Sequence, residues 1–156
     1  MIEVGSLAPE FTLVADDTKE VNLTDYRGKN VVLLFFPFAF TGVCTKEMCF
    51  MRDSMSQMND WNAQVLGISI DSPFTLAKFK EEEKLNFPLL SDFNKTAIRA
   101  YDTIYEEFPA FGLKGVAKRS AYVINKEGIV KYAEICDSPG DEPNYNAMKE
   151  TLSSLN

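Results

Sequence analysis

Residues 31–36 have the sequence VVLLFF, an unbroken apolar run that ends at Pro37. The run is too short for a buried helix and rich in strand-forming residues, which predicts a central strand covered on both faces. A second apolar segment, residues 65–70, predicts another buried strand. Strands covered on both faces need helices on both sides of the sheet, so this feature favours an α/β domain.

The rest of the chain supplies those helices and the edges of the sheet. Residues 11–14 and 20–23 flank Asp16 and Asp17 and predict an N-terminal β-hairpin. We also predict a turn or short helix at 24–28, strands at 87–90, 120–124 and 129–135, and helices at 43–62, 73–84, 96–101 and 144–155. This order is compatible with a thioredoxin-like fold, one domain over residues 1–156 in which helices flank a central mixed β-sheet.

Charge and composition exclude several classes of function. The net charge of −7 argues against nucleic acid or an anionic membrane as a partner, because phosphate binding needs clustered Lys and Arg. The N-terminus lacks the features of a signal peptide, and no apolar run is long enough for a membrane span, so we expect a cytoplasmic protein. The chain has no histidine, which removes the commonest general base and metal ligand. We expect no metal and no cofactor.

Cys44 is the candidate for a chemical role. It follows a buried strand, the loop that begins at Pro37, and Gly42, and it lies in the first turn of a predicted helix. The free N–H groups of a helix start stabilise a thiolate, and Lys46 and Thr41 are close in sequence. A thiolate at Cys44 therefore needs no histidine. The alternative is an inert core cysteine.

The residues around Cys44 resemble the active-site signature of the peroxiredoxins. In the segment 37–44, PFAFTGVC, Pro37 is followed by Thr41 four residues later and by Cys44 three after that. Residues 5–11, GSLAPEF, look like the N-terminal G-x-x-A-P-x-F opening of the family. The resemblance extends along most of the chain and implies a thiol peroxidase that reduces hydrogen peroxide or organic hydroperoxides.

The resemblance also implies roles for single residues. Cys44 would attack one peroxide oxygen and become a sulfenic acid. Thr41 and the backbone N–H groups near Val43 and Cys44 would bind the peroxide oxygens. Arg119 is similar to the second active-site arginine of the family and would hold the thiolate and polarise the O–O bond. Pro37 would shield the site from water.

Glu47 matches a glutamate that many family members have three residues after the cysteine. It lies on the same predicted helix face as Cys44, and its implied role is to orient Arg119. A bare carboxylate beside the thiol would disfavour the thiolate, so alignment of the arginine is the expected function. The alternative is a solvated helix residue.

Two cysteines remain as candidates for resolving the sulfenic acid. Cys49 has the C-x4-C spacing of the bacterioferritin-comigratory-protein, or PrxQ, type, whereas residues 38–42 look more like the AhpE type, which typically lacks a second cysteine. Residues five apart on a helix are separated by roughly 7.5 Å along the axis and about 140° around it. That exceeds the Cα separation of about 7 Å that a disulfide allows, so bonding to Cys44 requires the helix start to unwind. Cys136 is expected to be structural, with resolution as the alternative.

The expected partners are a thioredoxin-like or other thiol reductant and a second copy of the chain. Phe38, Phe40 and Phe111 lie in predicted loops, and exposed aromatic residues there suggest a homodimer, unless they cover the cysteine pocket within one chain. Two other functions stay open. A disulfide exchanger is disfavoured because the chain lacks a C-x-x-C motif. A non-catalytic holdase with a thioredoxin fold is the second alternative.

Overall fold

The computed structural model describes residues 2–155, so Met1 and Asn156 of the predicted domain lie outside the described residues. The strands are β1 (Thr12–Ala15), β2 (Glu20–Asn22), β3 (Asn30–Phe35), β4 (Ala63–Ser69), β5 (Leu89–Ser91), β6 (Ile104–Tyr105), β7 (Val116–Ala117), β8 (Ser120–Ile124) and β9 (Val130–Ile135). The α-helices are α1 (Gly42–Asp53), α2 (Met55–Asp60), α3 (Pro73–Glu83), α4 (Thr96–Ala100) and α5 (Tyr145–Ser154).

Seven of the strands form one mixed sheet in the order β2-β1-β5-β4-β3-β8-β9. Strand β4 is parallel to both β3 and β5, whereas β1, β8 and β9 pair antiparallel with their neighbours. The predicted N-terminal hairpin is β1 and β2, and the predicted hairpin near the C-terminus is β8 and β9. Strands β6 and β7 form a separate two-stranded sheet that the sequence pattern did not predict.

The central position of β3 is confirmed, and its side chains divide the core in two. Val32 and Leu34 pack against α1, α2, α3 and α5 on one face of the sheet. Leu33 and Phe35 pack on the other face against α4 and the N-terminal segment. Successive side chains of a strand point to opposite faces, so a strand with all six residues buried supports two cores.

The helix predicted at 43–62 is wrong in its continuity, because it breaks at Ser54. Helix α1 ends at Asp53 and α2 begins at Met55. The Ser54 hydroxyl donates to the carbonyl of Phe50 at 2.9 Å, a local bond that competes with regular helix geometry. The methionines predicted to form a core stripe are nevertheless buried on both sides of the break: Met48, Met51, Met55 and Met58.

Strand β5 begins two residues later than predicted, and the short helix predicted at 24–28 is a 3₁₀-helix over Leu23–Tyr26. Neither shift changes the topology. Within residues 2–155, no helix has both the length and the apolar composition to cross a membrane. The architecture brings the end of β3, the start of α1 and the start of β8 to one place, because β3 and β8 are antiparallel neighbours.

Candidate active site

The loop that joins β3 to α1 carries the segment predicted as a signature, and the neighbouring strand anchors it. Asp71, just after β4, accepts a hydrogen bond from the backbone N–H of Ala39 at 2.8 Å. Ser69 in turn donates to the same carboxylate oxygen of Asp71 at 2.6 Å. These bonds fix the loop after the buried Pro37 and so set where α1 begins.

Cys44 lies in the first turn of α1 and is only 1% exposed. The Nη2 group of Arg119 donates a hydrogen bond to its Sγ atom at 3.1 Å. The same nitrogen donates to the carbonyl of Pro139 at 3.0 Å. Arg119 precedes β8 and is also 1% exposed, so a permanently charged guanidinium that is itself shielded from solvent contacts the thiol.

Glu47 binds Arg119 on the other nitrogen of the guanidinium, Nη1. Its Oε1 atom accepts a hydrogen bond from Arg119 Nη1 at 2.8 Å, and its side chain is 0% exposed. Burial raises the pKa of Glu47 to about 7, against the lowering effect of Arg119. Within residues 2–155, Glu47 Oε2 and Arg119 Nε are buried without a hydrogen-bond partner. Glu47 therefore holds the guanidinium at a cost in desolvation.

A cavity of about 260 Å³ opens beside Cys44. Its walls are mostly apolar, with the guanidinium of Arg119 as the charged group. The residues that line it are Pro37, Phe38, Thr41, Gly42, Val43, Cys44, Phe108, Arg119, Pro139 and Gly140. The structure thus brings together, around one thiol, the predicted residues Pro37, Thr41, Val43, Cys44 and Arg119, with Glu47 behind the arginine.

Thr41 is the N-cap residue of α1, and its hydroxyl donates to the carbonyl of Phe38 at 2.9 Å instead of capping the helix. The helix bond nearest the start runs from Thr45 N to Thr41 O at 2.9 Å. The backbone N–H groups of Val43 and Cys44 lie before that first hydrogen bond, so they have no acceptor within the helix, as at any helix start. Both residues line the cavity. Thr41 and the first residues of α1 therefore line the space beside the sulfur, while the Thr41 hydroxyl hydrogen is bound to the Phe38 carbonyl.

The ammonium group of Lys46, two residues after Cys44 in sequence, pairs with a carboxylate. Its side chain is exposed and forms an ion pair with Glu142 at 3.1 Å. The cation that contacts the thiol is Arg119, which lies 75 residues away in sequence.

Cys49 is not part of this cavity. Its Sγ atom donates a hydrogen bond to Glu83 Oε2, on α3, at 3.4 Å. Burial, the hydrogen bond to Glu83 and its charge raise the pKa of the Cys49 thiol. All three cysteines lie within the described residues and are free thiols. In the intact helix, Cys44 and Cys49 therefore face different neighbours.

Cys136 follows β9 and lies beside Arg119, the residue before β8, and its backbone N–H donates to the carbonyl of Arg119 at 2.9 Å. It is buried, and burial, followed by the charge of Glu134, raises the pKa of its thiol to about 12. Such a thiol is a poor nucleophile near neutral pH, which fits a structural residue.

The sequence analysis missed Phe108 and the turn at Pro139 and Gly140, which complete the cavity. The ring of Phe108 packs edge-on against Phe38, with centroids 5.5 Å apart. Nothing in the local pattern distinguishes these residues, because only the folding of distant loops brings them to α1. In the sequence, the signal for placing Pro139 near the site is that it follows Cys136 by three residues.

A larger cavity of about 460 Å³ lies between β1, β5 and the start of α3. No cysteine and no basic side chain is among the described residues that line it: Thr12, Leu13, Val14, Ser72, Pro73, Ser91, Asp92, Phe93, Asn94 and Thr96. Size alone does not make a reactive site, so the smaller cavity at Cys44 is the candidate.

Comparisons with known proteins were made with both sequence and structure. A profile of the AhpC/TSA family matches residues 4–133. Alkyl hydroperoxide reductase E of Mycobacterium tuberculosis (strain ATCC 25618 / H37Rv) is 35% identical over 158 residues, which covers 99% of each chain. Peroxiredoxin Bcp of Escherichia coli (strain K12) is 35% identical over 139 residues, which covers 89% of this chain and 81% of its own.

Solved structures of peroxiredoxins are also similar to this chain. A peroxiredoxin-like protein from Aquifex aeolicus superposes with a TM-score of 0.89 and 28% identity, over 99% of this chain and 88% of that one. Peroxidoxin BcpB from Mycobacterium tuberculosis superposes with a TM-score of 0.88 and 26% identity, over 100% and 99%. The predicted thioredoxin-like fold is confirmed by these neighbours.

Proposed function

Because this chain belongs to the AhpC/TSA family and is a peroxiredoxin, we propose that Cys44 is the peroxidatic residue of its thiol-dependent peroxidase activity. The resemblance found in segment 37–44 is confirmed at the level of family and enzyme class. The observation that carries the assignment to Cys44 is the 3.1 Å contact of its sulfur with the buried guanidinium of Arg119. A guanidinium at that distance is a charge-assisted hydrogen-bond donor to the sulfur atom.

In the proposed reaction, the Cys44 thiolate attacks one oxygen of the peroxide along the O–O bond. A sulfur–oxygen bond forms, the O–O bond breaks, and the leaving oxygen takes up a proton to depart as water or an alcohol. The sulfur is oxidised to a sulfenic acid and the peroxide is reduced. Thr41, the N–H groups near Val43 and Cys44, and Arg119 would stabilise the charge that develops on the two oxygens.

The remaining site residues have supporting roles in this proposal. Pro37 is buried and closes one wall of the cavity, which limits access of water to the thiolate. Glu47 holds Arg119 by the 2.8 Å hydrogen bond. A cavity of about 260 Å³ with apolar walls supports hydrogen peroxide and small organic hydroperoxides as substrates.

Peroxide consumption by single cysteine variants tests the assignment. Cys44→Ser should lose peroxidase activity and form no sulfenic acid with a trapping reagent. Cys136→Ser is the matched control and should form sulfenic acid at the wild-type rate, because its thiol is buried and outside the cavity. Sulfenic acid formed at an unchanged rate in Cys44→Ser would refute the assignment.

For resolution, we propose that Cys49 attacks the sulfenic acid at Cys44 after the first turns of α1 unwind. Two features of the helix start support this. Gly42 is an exposed glycine at the first helical position, and Thr41 makes no capping bond. Both lower the stability of the first turn. Peptide mass spectrometry after one equivalent of peroxide tests it. A disulfide that joins Cys44 to Cys136 would contradict it.

The alternative is a one-cysteine cycle in which an external thiol resolves Cys44. The contact of Cys49 with Glu83, on a different side of α1, favours this alternative. A persistent sulfenic acid without any internal disulfide would establish it. In either cycle, we propose that a thioredoxin-like or similar thiol returns the enzyme to its reduced form.

We also propose a homodimer formed through the loops beside the site. Phe40 and Phe111 are 48% and 89% exposed, and both have left-handed backbones with φ of 68° and 64°. Bulky residues rarely adopt that conformation, so the strain needs compensation, which an interface would supply. Phe40→Asp should elute as a monomer, and elution at the wild-type dimer position would remove Phe40 from the interface.

Residues 1–156 are proposed to act as one domain, because the sheet takes strands from both the N-terminal and the C-terminal parts of the chain. The cytoplasmic location expected from the sequence stays a prediction. Fractionation of the native source, with detection of the protein by mass spectrometry, tests it.

A further inference from the structure

The side of α1 that faces α3 carries an interaction that the peroxidase reaction itself does not use. Cys49 is half-buried there and donates its thiol hydrogen to Glu83 Oε2 at 3.4 Å. Glu83 is the last residue of α3, where a carboxylate is unfavourable because the carboxyl end of a helix carries partial negative charge. At this position, the carboxylate of Glu83 accepts the hydrogen bond from the Cys49 thiol.

The backbone around Glu83 is fastened to the same part of α1. Arg52 Nη1 donates to the carbonyl of Glu83 at 2.6 Å. Asn86, just beyond α3, donates through Nδ2 to the carbonyl of Arg52 at 3.3 Å. These contacts hold the backbone at Glu83 next to the part of α1 that carries Cys49.

The charges around Cys49 come from two helices. Glu83 faces it from α3, and Arg52 and Asp53 are its charged neighbours on α1. Arg52 is itself paired with Asp53 at 3.0 Å, which reduces its effect on the thiol. Burial raises the pKa of Cys49 most, followed by the hydrogen bond to Glu83, while Arg52 lowers it. Glu83 is the only one of these charged groups with a direct hydrogen bond to Cys49 among the described residues.

We propose that Glu83 is a positioning residue that delays resolution, because its carboxylate accepts the thiol hydrogen of Cys49 and holds that side chain toward α3 while Cys44 carries a sulfenic acid. This inference rests on the proposed role of Cys49 as the resolving residue. The nucleophile in disulfide formation is the thiolate, so a protonated thiol reacts slowly.

The chemistry of the delayed step is balanced without any added oxidant. The Cys49 thiol loses its proton to water, and the thiolate attacks the sulfenic sulfur of Cys44. A sulfur–sulfur bond forms, the sulfur–oxygen bond breaks, and the departing hydroxide takes up a proton to leave as water. The sulfur of Cys49 is oxidised and that of Cys44 is reduced. Release from Glu83 is needed both for the proton loss and for the movement toward Cys44.

The delay has a functional consequence. While Cys49 is held by Glu83, the sulfenic acid persists in the site and an external thiol can reach it first. The Glu83 contact thus sets the fraction of sulfenic acid that is resolved by Cys49 and the fraction that is resolved by an external thiol. Loss of the carboxylate increases the fraction that forms the internal disulfide.

The experiment measures formation of the disulfide between Cys44 and Cys49 against time and pH. Reduced wild type, Glu83→Gln and Glu82→Gln are each mixed with one equivalent of peroxide, quenched with a thiol-blocking reagent and analysed by peptide mass spectrometry. Glutamine keeps the size and an acceptor oxygen but removes the charge. Glu82 is the matched control, because it is exposed on the same helix and pairs with Lys78 at 3.8 Å.

The expected result is a lower apparent pKa for disulfide formation in Glu83→Gln, with a rate at pH 7 that is roughly three- to tenfold faster than in wild type. The two rates should converge at high pH, where the thiol is ionised in both. Glu82→Gln should match wild type throughout.

Three outcomes would overturn the proposal, and they are distinguishable. A rate in Glu83→Gln that rises equally at every pH would show that the variant only loosens α1. A slower or unchanged rate would show that Glu83 does not restrain the thiol. Wild type that forms no disulfide between Cys44 and Cys49 at any pH would refute the role of Cys49 itself, and Glu83 with it.

Discussion

Replacing Glu47 by glutamine tests the electrostatics of the buried pair behind the candidate thiol. Glu47 is 0% exposed and its partner Arg119 is 1% exposed, so their interaction is shielded from water. Glutamine has nearly the same volume and still offers an oxygen to Arg119 Nη1. The substitution therefore removes a titratable charge and leaves the packing almost unchanged.

The sign and size of the effect follow from the pKa of Glu47. Burial raises it from 4.5 to about 7 in the folded protein, so the folded state binds an extra proton between those two pH values. Binding of this proton stabilises the folded state. The stabilisation is fully present below about pH 4.5 and is lost as the pH rises through about 7. Each pH unit in that interval changes the free energy of unfolding by about 1.4 kcal/mol. From pH 5 to pH 8, wild type should lose about 2 to 3 kcal/mol relative to Glu47→Gln.

Urea unfolding of both reduced proteins at several pH values between 5 and 8 measures this difference. All other titrating groups are common to the two proteins, so they cancel to first order. With a urea slope of about 2 kcal/mol per molar, the gap between the two midpoints should change by roughly 1 M across the range. A gap that stays constant would refute the reasoning. A gap that changes in the opposite direction would show that pairing with Arg119 outweighs burial.

Three further substitutions probe the site and the core. Arg119→Lys should slow the reaction of Cys44 with hydrogen peroxide roughly 10- to 100-fold in stopped-flow measurements, because a charge-assisted hydrogen bond is worth about 1.5 to 3 kcal/mol. Phe108→Ala should lower kcat/KM for a bulky aromatic hydroperoxide at least about fivefold more than for hydrogen peroxide, because it removes an apolar wall of the cavity. Gly67→Ala should lower the melting temperature by about 3 to 10 °C in calorimetry, because the added Cβ would lie 2.7 Å from Leu89 Cδ2.

Each of these predictions has a control and a contrary outcome. An unchanged rate constant in Arg119→Lys would mean that the guanidinium geometry does not matter to the thiol. Phe108→Leu keeps an apolar wall and should retain most of the preference, whereas equal losses for both peroxides in Phe108→Ala would contradict the role of the wall. A melting temperature equal to that of wild type in Gly67→Ala would show that the Leu89 side chain moves aside without cost.

The sequence alone determined the elements whose signal is local. The apolar run at 31–36 predicted β3 within one residue at each end, because a strand buried on both faces needs consecutive apolar side chains. The placement of Cys44 at the start of α1 followed equally from Pro37 and Gly42. The family signature in segment 37–44 identified the enzyme class, since its residues are neighbours in the chain.

The full set of distant groups around the thiol depends on the tertiary structure, although the family resemblance had already implied Arg119. Arg119 contacts Cys44 from 75 residues away, and Phe108 completes the cavity from a loop that has no distinguishing pattern. In the structure, the Cys49 thiol donates to Glu83, 34 residues away on α3. The helix predicted at 43–62 is interrupted at Ser54. Residue spacing gives the direction of a side chain around its own helix. The groups it meets depend on how the sheet and helices pack, and that packing is a property of the whole chain.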